Sequence, residues 1–217
     1  MTLNAKIEGW CYGAVVVSAQ RASGRPQVTS HGAIEAAAFE LFATRGFEAT
    51  TMDDIAAVLG VSRRTLFRYY PSKSDIPWGL FDASLVRLKA SLWAVPAEVP
   101  VFEAVQRAVL DFNRLDEGAV AQHRRRMALL LRTPALQAHS VIRHAQWCRV
   151  IAEYVAARYA LSPEHMLPRV VGRVCLALAM SAYEQWLEQD DGGGVEELLE
   201  RSMADLRHYL VDDGSPS

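Results

Sequence analysis

TMDDIAAVLGVSRRTLFRYYPSK, residues 51–73, is the stretch from which the fold can be read. Thr51 precedes a short apolar-periodic run, and its side-chain oxygen can accept one of the orphan N–H groups that open a helix. Asp53 and Asp54 then suit the positive end of that helix. Ile55, Ala56 and Leu59 share its buried face, and Gly60 ends it. Val61 turns inward, Ser62 caps a third helix over Arg63 to Tyr69, and Pro71 stops it. Two short helices about a glycine-centred turn, the second carrying cations, make the helix-turn-helix plan.

The residue types follow from what such a pair must do. The second helix lies in a DNA major groove about 12 Å wide, with its N-terminal residues facing base edges. Arg63, Arg64 and Arg68 stand there, and a guanidinium fork can pair two acceptors on guanine at once. Thr65, Tyr69, Tyr70 and Lys73 suit phosphates, which position the helix without reading sequence. Leu66 and Phe67 anchor it. Between Val61 and Ser74 there are cations and no acid, although the net charge of the whole chain is −2. Clustering, not total charge, is what DNA binding needs.

Outward from this stretch the chain reads as all-α. Ile34, Ala37, Ala38, Leu41 and Phe42 place a first helix over about 30–45, ending at Gly46, with Phe47 folding back onto it. A fourth helix is expected over Asp75–Trp93, with Pro77 in its first turn, and Pro96 and Pro100 mark a linker. Further helices are expected over about 101–116, 119–132, 135–160, 164–189 and 195–211. Thr133-Pro134, Ser162-Pro163 and glycines 192–194 separate the later ones. Residues 1–29 read as a flexible arm, in which Arg21 and Arg25 could enter a minor groove, and 212–217 as a disordered tail.

The run AAAFELFATRGFEATTMDDIAAVLGVSRRTLFRYYPSKSDI, residues 36–76, resembles the TetR family of bacterial regulators. The matching elements are F-x-x-x-G-F-x-x-T-T, I-A-x-x-L-G-V-S and T-L-F-R-Y-Y-P-S-K. The resemblance implies an all-α, two-part subunit. A three-helix DNA-binding domain would occupy 30–76, and a helical domain over 77–211 would dimerise and hold an effector. Carried over position by position, the family's DNA contacts fall on Thr51, Arg63, Arg64, Thr65, Phe67, Arg68, Tyr69 and Lys73. The family more often has Tyr where Phe67 stands, so that contact lacks its hydroxyl. RRTLFRYYPSKSDIPWGLFD (63–82) and RTPALQAHS (132–140) resemble, more narrowly, the regulators of mycofactocin biosynthesis gene clusters. That resemblance implies a long-chain acyl-CoA as the small hydrophobic effector of a ligand-released repressor.

Other classes find less support. No nucleophile–base pair, phosphate-cradling glycine loop or catalytic carboxylate pair is present, so an enzyme is not expected. Cys11, Cys148 and Cys175 have no metal spacing, and neither a metal nor a cofactor is implied. Scattered cysteines, with no secretory leader and no run of about 18 apolar residues, fit a cytoplasmic protein. Trp147, Tyr183 and Trp186 are candidate ligand-binding residues, with core or interface packing as the alternative. Arg124-Arg125-Arg126 cannot form one patch, because successive helical residues point about 100° apart; solvation or ion pairing is the simpler fate of these side chains. A helical ligand carrier with a vestigial DNA motif is the rival reading. A symmetric homodimer reading a palindromic operator is expected, with half-sites about 34 Å or a multiple apart. Helices over 164–211 are its candidate interface.

Overall fold

The computed structural model of the chain describes residues 29–189 and 194–211, and every regular element in them is helical. The arm with Arg21, Arg25 and Cys11, most of the triple glycine, and the tail lie outside the described residues. The first helix, α1, spans His31–Arg45, and Ser30 Oγ accepts from the Ala33 N–H at 3.2 Å. The second, α2, spans Met52–Leu59. Thr51 Oγ1 accepts from the Asp54 N–H at 3.1 Å, while the Asp54 carboxylate accepts from the Thr51 N–H at 2.8 Å. This reciprocal box satisfies two orphan donors and holds the Asp54 carboxyl below its usual range, chiefly through the Thr51 side-chain bond. Gly60 adopts a left-handed conformation (φ 65°, ψ 26°) that ends α2 and lets the Val61 N–H reach Ala56 O. The recognition helix, α3, spans Arg63–Tyr69, with Ser62 as its cap.

The expected helix over 75–93 is two elements. Lys73–Trp78 is a 3₁₀ segment, and α4 starts only at Phe81 and ends at Ala94. Pro77 therefore sits inside the 3₁₀ segment and not in the first turn of α4. The break between them is Gly79, at φ +53°, with its N–H bonded to Ile76 O. A side chain there would strike two buried charged groups: a Cβ would lie 2.8 Å from Arg126 Nη1 and 2.9 Å from Glu35 Oε1.

The remaining helices are α5 (Val101–Asn113), α6 (Val120–Arg132), α7 (Pro134–Arg158), α8 (Met166–Glu188) and α9 (Val195–Val211). The helix expected to reach 116 ends at Asn113, after which Arg114 is extended. Two apolar clusters form. Ile34, Phe42, Ile55, Leu66 and Ile76 pack the first three helices and the 3₁₀ segment together, with Leu130 of α6 and Leu136 of α7 closing the cluster from below. Leu88 and Leu92 of α4 pack with Val105 and Val109 of α5, Ile151 of α7, Trp186 of α8 and Leu199 of α9 in the other. Met127 of α6 touches both clusters.

Among the described residues, α8 is the one helix long and apolar enough by length and composition to cross a membrane. It carries Arg169 and Arg173 and is packed against α7 and α9. Its approach to α7 depends on Gly172, where a Cβ would lie 2.5 Å from the backbone oxygen of Cys148. Backbone cannot step aside as a flexible side chain can. Gly172→Ala is therefore expected to lower stability by about 1–3 kcal/mol and the thermal midpoint by several degrees. Gly32→Ala in α1, with open space around it, serves as the control and should hold or raise the midpoint.

Candidate nucleic-acid interface and internal cavity

On α3 and beside it the expected DNA-contact residues divide into guanidinium groups that are available and hydroxyl or ammonium groups that are committed. Arg63, Arg64 and Arg68 are exposed. Arg63 lies 3.3 Å from Asp53 and over the Phe67 ring, both exposed positions where an ion pair contributes little. Arg68 lies over the Tyr69 ring at 5.5 Å. Phe67 is 38% exposed and packs under Arg63, so it does not anchor α3 to the core; Leu66, at 0%, does.

The hydroxyl groups carried over from the family are occupied. Thr51 Oγ1 donates to Asp54 Oδ2 at 2.6 Å, and Thr65 Oγ1 shares a 2.9 Å bond with Ser62 Oγ. The Tyr69 hydroxyl donates to Thr29 O at 2.5 Å. Tyr70, read as a phosphate contact, is buried at 3% and donates to Glu35 Oε1 at 2.8 Å. Lys73 differs most from expectation. Its ammonium has three N–H donors, and these meet Phe47 O, Glu48 O and Thr50 O at 2.8, 3.0 and 2.9 Å. It fastens the turn after α1 to the start of the 3₁₀ segment, so no donor is left over for a phosphate.

Below this module lies a cavity of about 570 Å³ between α4, α5, α6, α7 and α8. Phe81 and Leu88, Phe112, Met127 and Leu131, Trp147, and Leu176 with Met180 give it apolar walls. Of the three aromatic candidates, Trp147 and Tyr183 line it and Trp186 does not. Trp186 is 1% exposed and packs beside the wall, against His123 and Tyr183 with Arg124 over its ring. Trp78 and Phe81, whose rings meet edge to face at 5.0 Å, line the cavity as well. The sequence pattern alone does not single out these two rings, because a cavity wall and a packed core share the same apolar periodicity.

One polar chain crosses this lining. Tyr183 donates to Asn113 Oδ1 at 2.8 Å, and His123 Nε2 lies 3.0 Å from the same hydroxyl. Burial first, and then the charge of Arg126, push His123 down to about 4. Burial also pushes the Tyr183 hydroxyl up and His144 down. These rings of the cavity interior are therefore neutral, beside the buried, Glu35-paired guanidinium of Arg126, whereas exposed Arg87, Asp111, Arg114 and Asp116 bring charge to its outer lining. The arginine triplet diverges as its helical spacing requires. Arg125 is exposed, Arg124 donates to Leu187 O and Gln189 O, and Arg126 is 7% exposed and paired with Glu35. The Cys175 thiol is pushed up to about 12 by burial, and Cys148 is also raised by burial, which leaves neither a reactive thiolate. Among the described residues no cluster of His, Cys, Asp or Glu is placed to hold a metal ion.

Two expectations follow. Lys73→Ala should lower folding stability by about 2 kcal/mol in denaturant titration, since three charge-assisted bonds are lost. It should leave the salt slope of DNA binding unchanged, where loss of a phosphate contact would reduce the slope by about 1. For His123, the unfolded chain takes up a proton near 6.5 and the folded one only near 4. Its contribution is complete above pH 6.5 and is lost as pH falls toward 4, by roughly 2–3 kcal/mol. Stability measured at pH 7 and pH 4.5 should show that loss in the wild type, and a loss smaller by about that amount in His123→Gln.

Comparison with known proteins supplies a family. Residues 34–76 match the family described as bacterial regulatory proteins, tetR family, and residues 99–211 match the MftR C-terminal domain. A Mycobacterium tuberculosis protein, provisionally named the mycofactocin biosynthesis transcriptional regulator MftR, is 42% identical over 167 residues, 77% of this chain and 84% of that protein. The HTH-type transcriptional regulator TcmR of Streptomyces glaucescens is 30% identical, covering 81% and 82%. Thermus thermophilus FadR, a TetR family repressor solved with lauroyl-CoA, has a similar fold with a TM-score of 0.55 at 24% identity, covering 87% and 98%. NalD of Pseudomonas aeruginosa, a repressor of a multidrug efflux pump, has a TM-score of 0.56 at 18% identity, covering 82% and 93%.

Proposed function

Because the chain belongs to the TetR family of bacterial transcriptional regulators, we propose that it is a cytoplasmic, ligand-released repressor. A homodimer binds a palindromic operator, and a long-chain acyl-CoA in the internal cavity releases it. The observation that carries the effector class is the cavity itself. Its 570 Å³ falls within the range of small-molecule sites, its walls are largely apolar, and its inner titratable rings are neutral. An acyl chain suits those walls. The exposed guanidinium groups of Arg87 and Arg114 suit the phosphates of a coenzyme A head group at the outer lining. The lauroyl-CoA bound by FadR is consistent with that choice.

DNA reading rests on Arg64 and Arg68. Among the described residues Arg64 makes no ion pair or hydrogen bond, so it reaches a groove without first giving up a partner. Dimerisation rests on α8 and α9. Met166, Leu167, Val170 and Val174 leave an apolar stripe exposed on α8, and Tyr209, Leu210 and Val211 expose the end of α9. Two such faces related by a two-fold axis bury one another, and the recognition helices are then held at one spacing.

The test is a mobility shift on DNA from immediately upstream of the gene, at stated salt, with and without dodecanoyl-CoA. A specific complex that dodecanoyl-CoA dissolves is the expected result. A specific complex indifferent to it would overturn the effector assignment and leave the regulator. Arg64→Ala is expected to cost about 1–3 kcal/mol on the specific site and much less on random duplex. Equal losses on both would remove its base-reading role.

A further inference from the structure

Glu35 and Arg126 are both nearly inaccessible, at 3% and 7% exposure, and belong to opposite halves of the subunit. Arg126 Nη2 donates to Glu35 Oε2 at 2.5 Å, and Nη1 donates to Pro77 O at 2.7 Å. The other carboxylate oxygen of Glu35 accepts from the Tyr70 hydroxyl at 2.8 Å. Tyr70 is the residue that ends the recognition helix, through its own N–H to Leu66 O. Gly79 lies against the pair, and a methyl group there would come within 3 Å of both charged groups and push one of them aside. The Phe39 ring of α1 lies under the guanidinium at 5.4 Å. Arg126 also lines the cavity, beside His123, Met127 and Leu130 of the same helix. One charged side chain thus touches the cavity, the 3₁₀ hinge, α1 and, through Glu35, the C-terminal end of the recognition helix.

We propose that the Glu35–Arg126 pair is the latch through which cavity occupancy is transmitted to the recognition helix. The proposal rests on reading the cavity as the effector site. An occupant that displaces α6 draws Arg126 away from Glu35 and from Pro77 O. The Glu35 carboxylate is then buried without its counter-charge, a state that low-dielectric surroundings do not tolerate. Relief requires α1 to move until the carboxylate is hydrated. Tyr70 is bonded to the same carboxylate, so the end of α3 moves with it. Packed interiors switch between arrangements and do not bend by degrees, so a small shift of α6 becomes a discrete change in helix spacing. Arginine suits the position because its planar fork reaches two acceptors in different directions at once. By linkage, breaking the latch favours the ligand-bound form as much as it disfavours the DNA-bound one.

The test uses the full-length dimer, an operator duplex selected by the wild type from random DNA, and two variants, Glu35→Gln and Tyr70→Phe. Operator affinity is measured with and without saturating dodecanoyl-CoA, and dodecanoyl-CoA binding is followed separately by tryptophan fluorescence. Thermal unfolding checks that each variant is folded, and Tyr70→Phe, which removes one oxygen, carries the test if Glu35→Gln does not fold. Ligand-free operator affinity is expected to fall about tenfold in Glu35→Gln and about threefold in Tyr70→Phe. Dodecanoyl-CoA should bind both at least as tightly as the wild type, and its effect on operator affinity should shrink toward none. A merely structural pair would lower the thermal midpoint and leave that effect intact. Wild-type operator affinity and a wild-type ligand effect in folded variants would overturn the latch. A wild type whose operator complex ignores dodecanoyl-CoA would remove the effector assignment alone. The latch would then stand on reduced ligand-free operator affinity in the two variants, and fall if that affinity were unchanged.

Discussion

The subunit is organised around a buried carboxylate that cannot stand alone. Glu35 interrupts the apolar face of α1 with a charge at 3% exposure, and four surroundings are fitted to it. Arg126 supplies the counter-charge, Tyr70 a proton donor, Pro77 O an acceptor for the remaining guanidinium edge, and Gly79 the space. Removing one partner from such a group costs about 3–5 kcal/mol, whereas an apolar replacement of the whole set is often harmless. A buried pair of this kind is therefore weak evidence for stability. It ties α1 of the recognition module to α6 of the larger helical body, because each of the two charges is satisfied by the other.

The chain between the two halves is not one helix, and its break falls at Gly79, whose φ of +53° is one that side-chain-bearing residues rarely adopt and whose missing Cβ leaves space for the two charged groups. The backbone turns through a 3₁₀ segment and a positive-φ glycine, and α4 starts afresh at Phe81. Asp75 ties this hinge to α7. Burial works against its ionisation, but bonds from Ser72, His139 and Arg143, together with the charge of His139, prevail and hold its carboxyl below the usual range. The 3₁₀ segment, the cavity wall and the recognition module thus share side chains.

The DNA face and the cavity show two ways of placing polarity. In the helix-turn-helix the hydroxyl groups of Thr51, Thr65 and Tyr69 bond within the module's own turns and caps, and long guanidinium groups are left outside. A hydroxyl's single proton, once given to a carboxylate (Thr51) or a carbonyl (Tyr69), is no longer available to a phosphate. In the cavity, polar groups are paired with one another (His123, Tyr183 and Asn113), and burial keeps the imidazole uncharged. An apolar guest therefore meets uncharged rings along that wall, with the Glu35-paired guanidinium of Arg126 beside them.

Periodicity, caps and breakers in the sequence determined the all-α class, the helix-turn-helix with its boundaries at Met52, Leu59, Arg63 and Tyr69, and the exposed arginines. These are local properties. Thr51, Gly60 and Ser62 act on backbone groups within four residues of themselves, and Arg64 is exposed because Leu66 two places on is buried. Pro77 falls in the 3₁₀ segment and not in α4, a difference the sequence does not carry, because a proline in a first turn and one in a 3₁₀ segment have the same local signature. Tertiary structure alone decided which ionisable groups meet. Lys73 is spent on carbonyls 23 to 26 residues away, and Arg126 reaches a glutamate 91 residues away. Trp186 falls beside the cavity and Trp78 within its lining, though both read as apolar aromatics. Hydrophobic period tells a residue to face inward. Whether it then meets a neighbour, a cavity or a counter-charge depends on where the other helices lie, and no spacing along one helix carries that information.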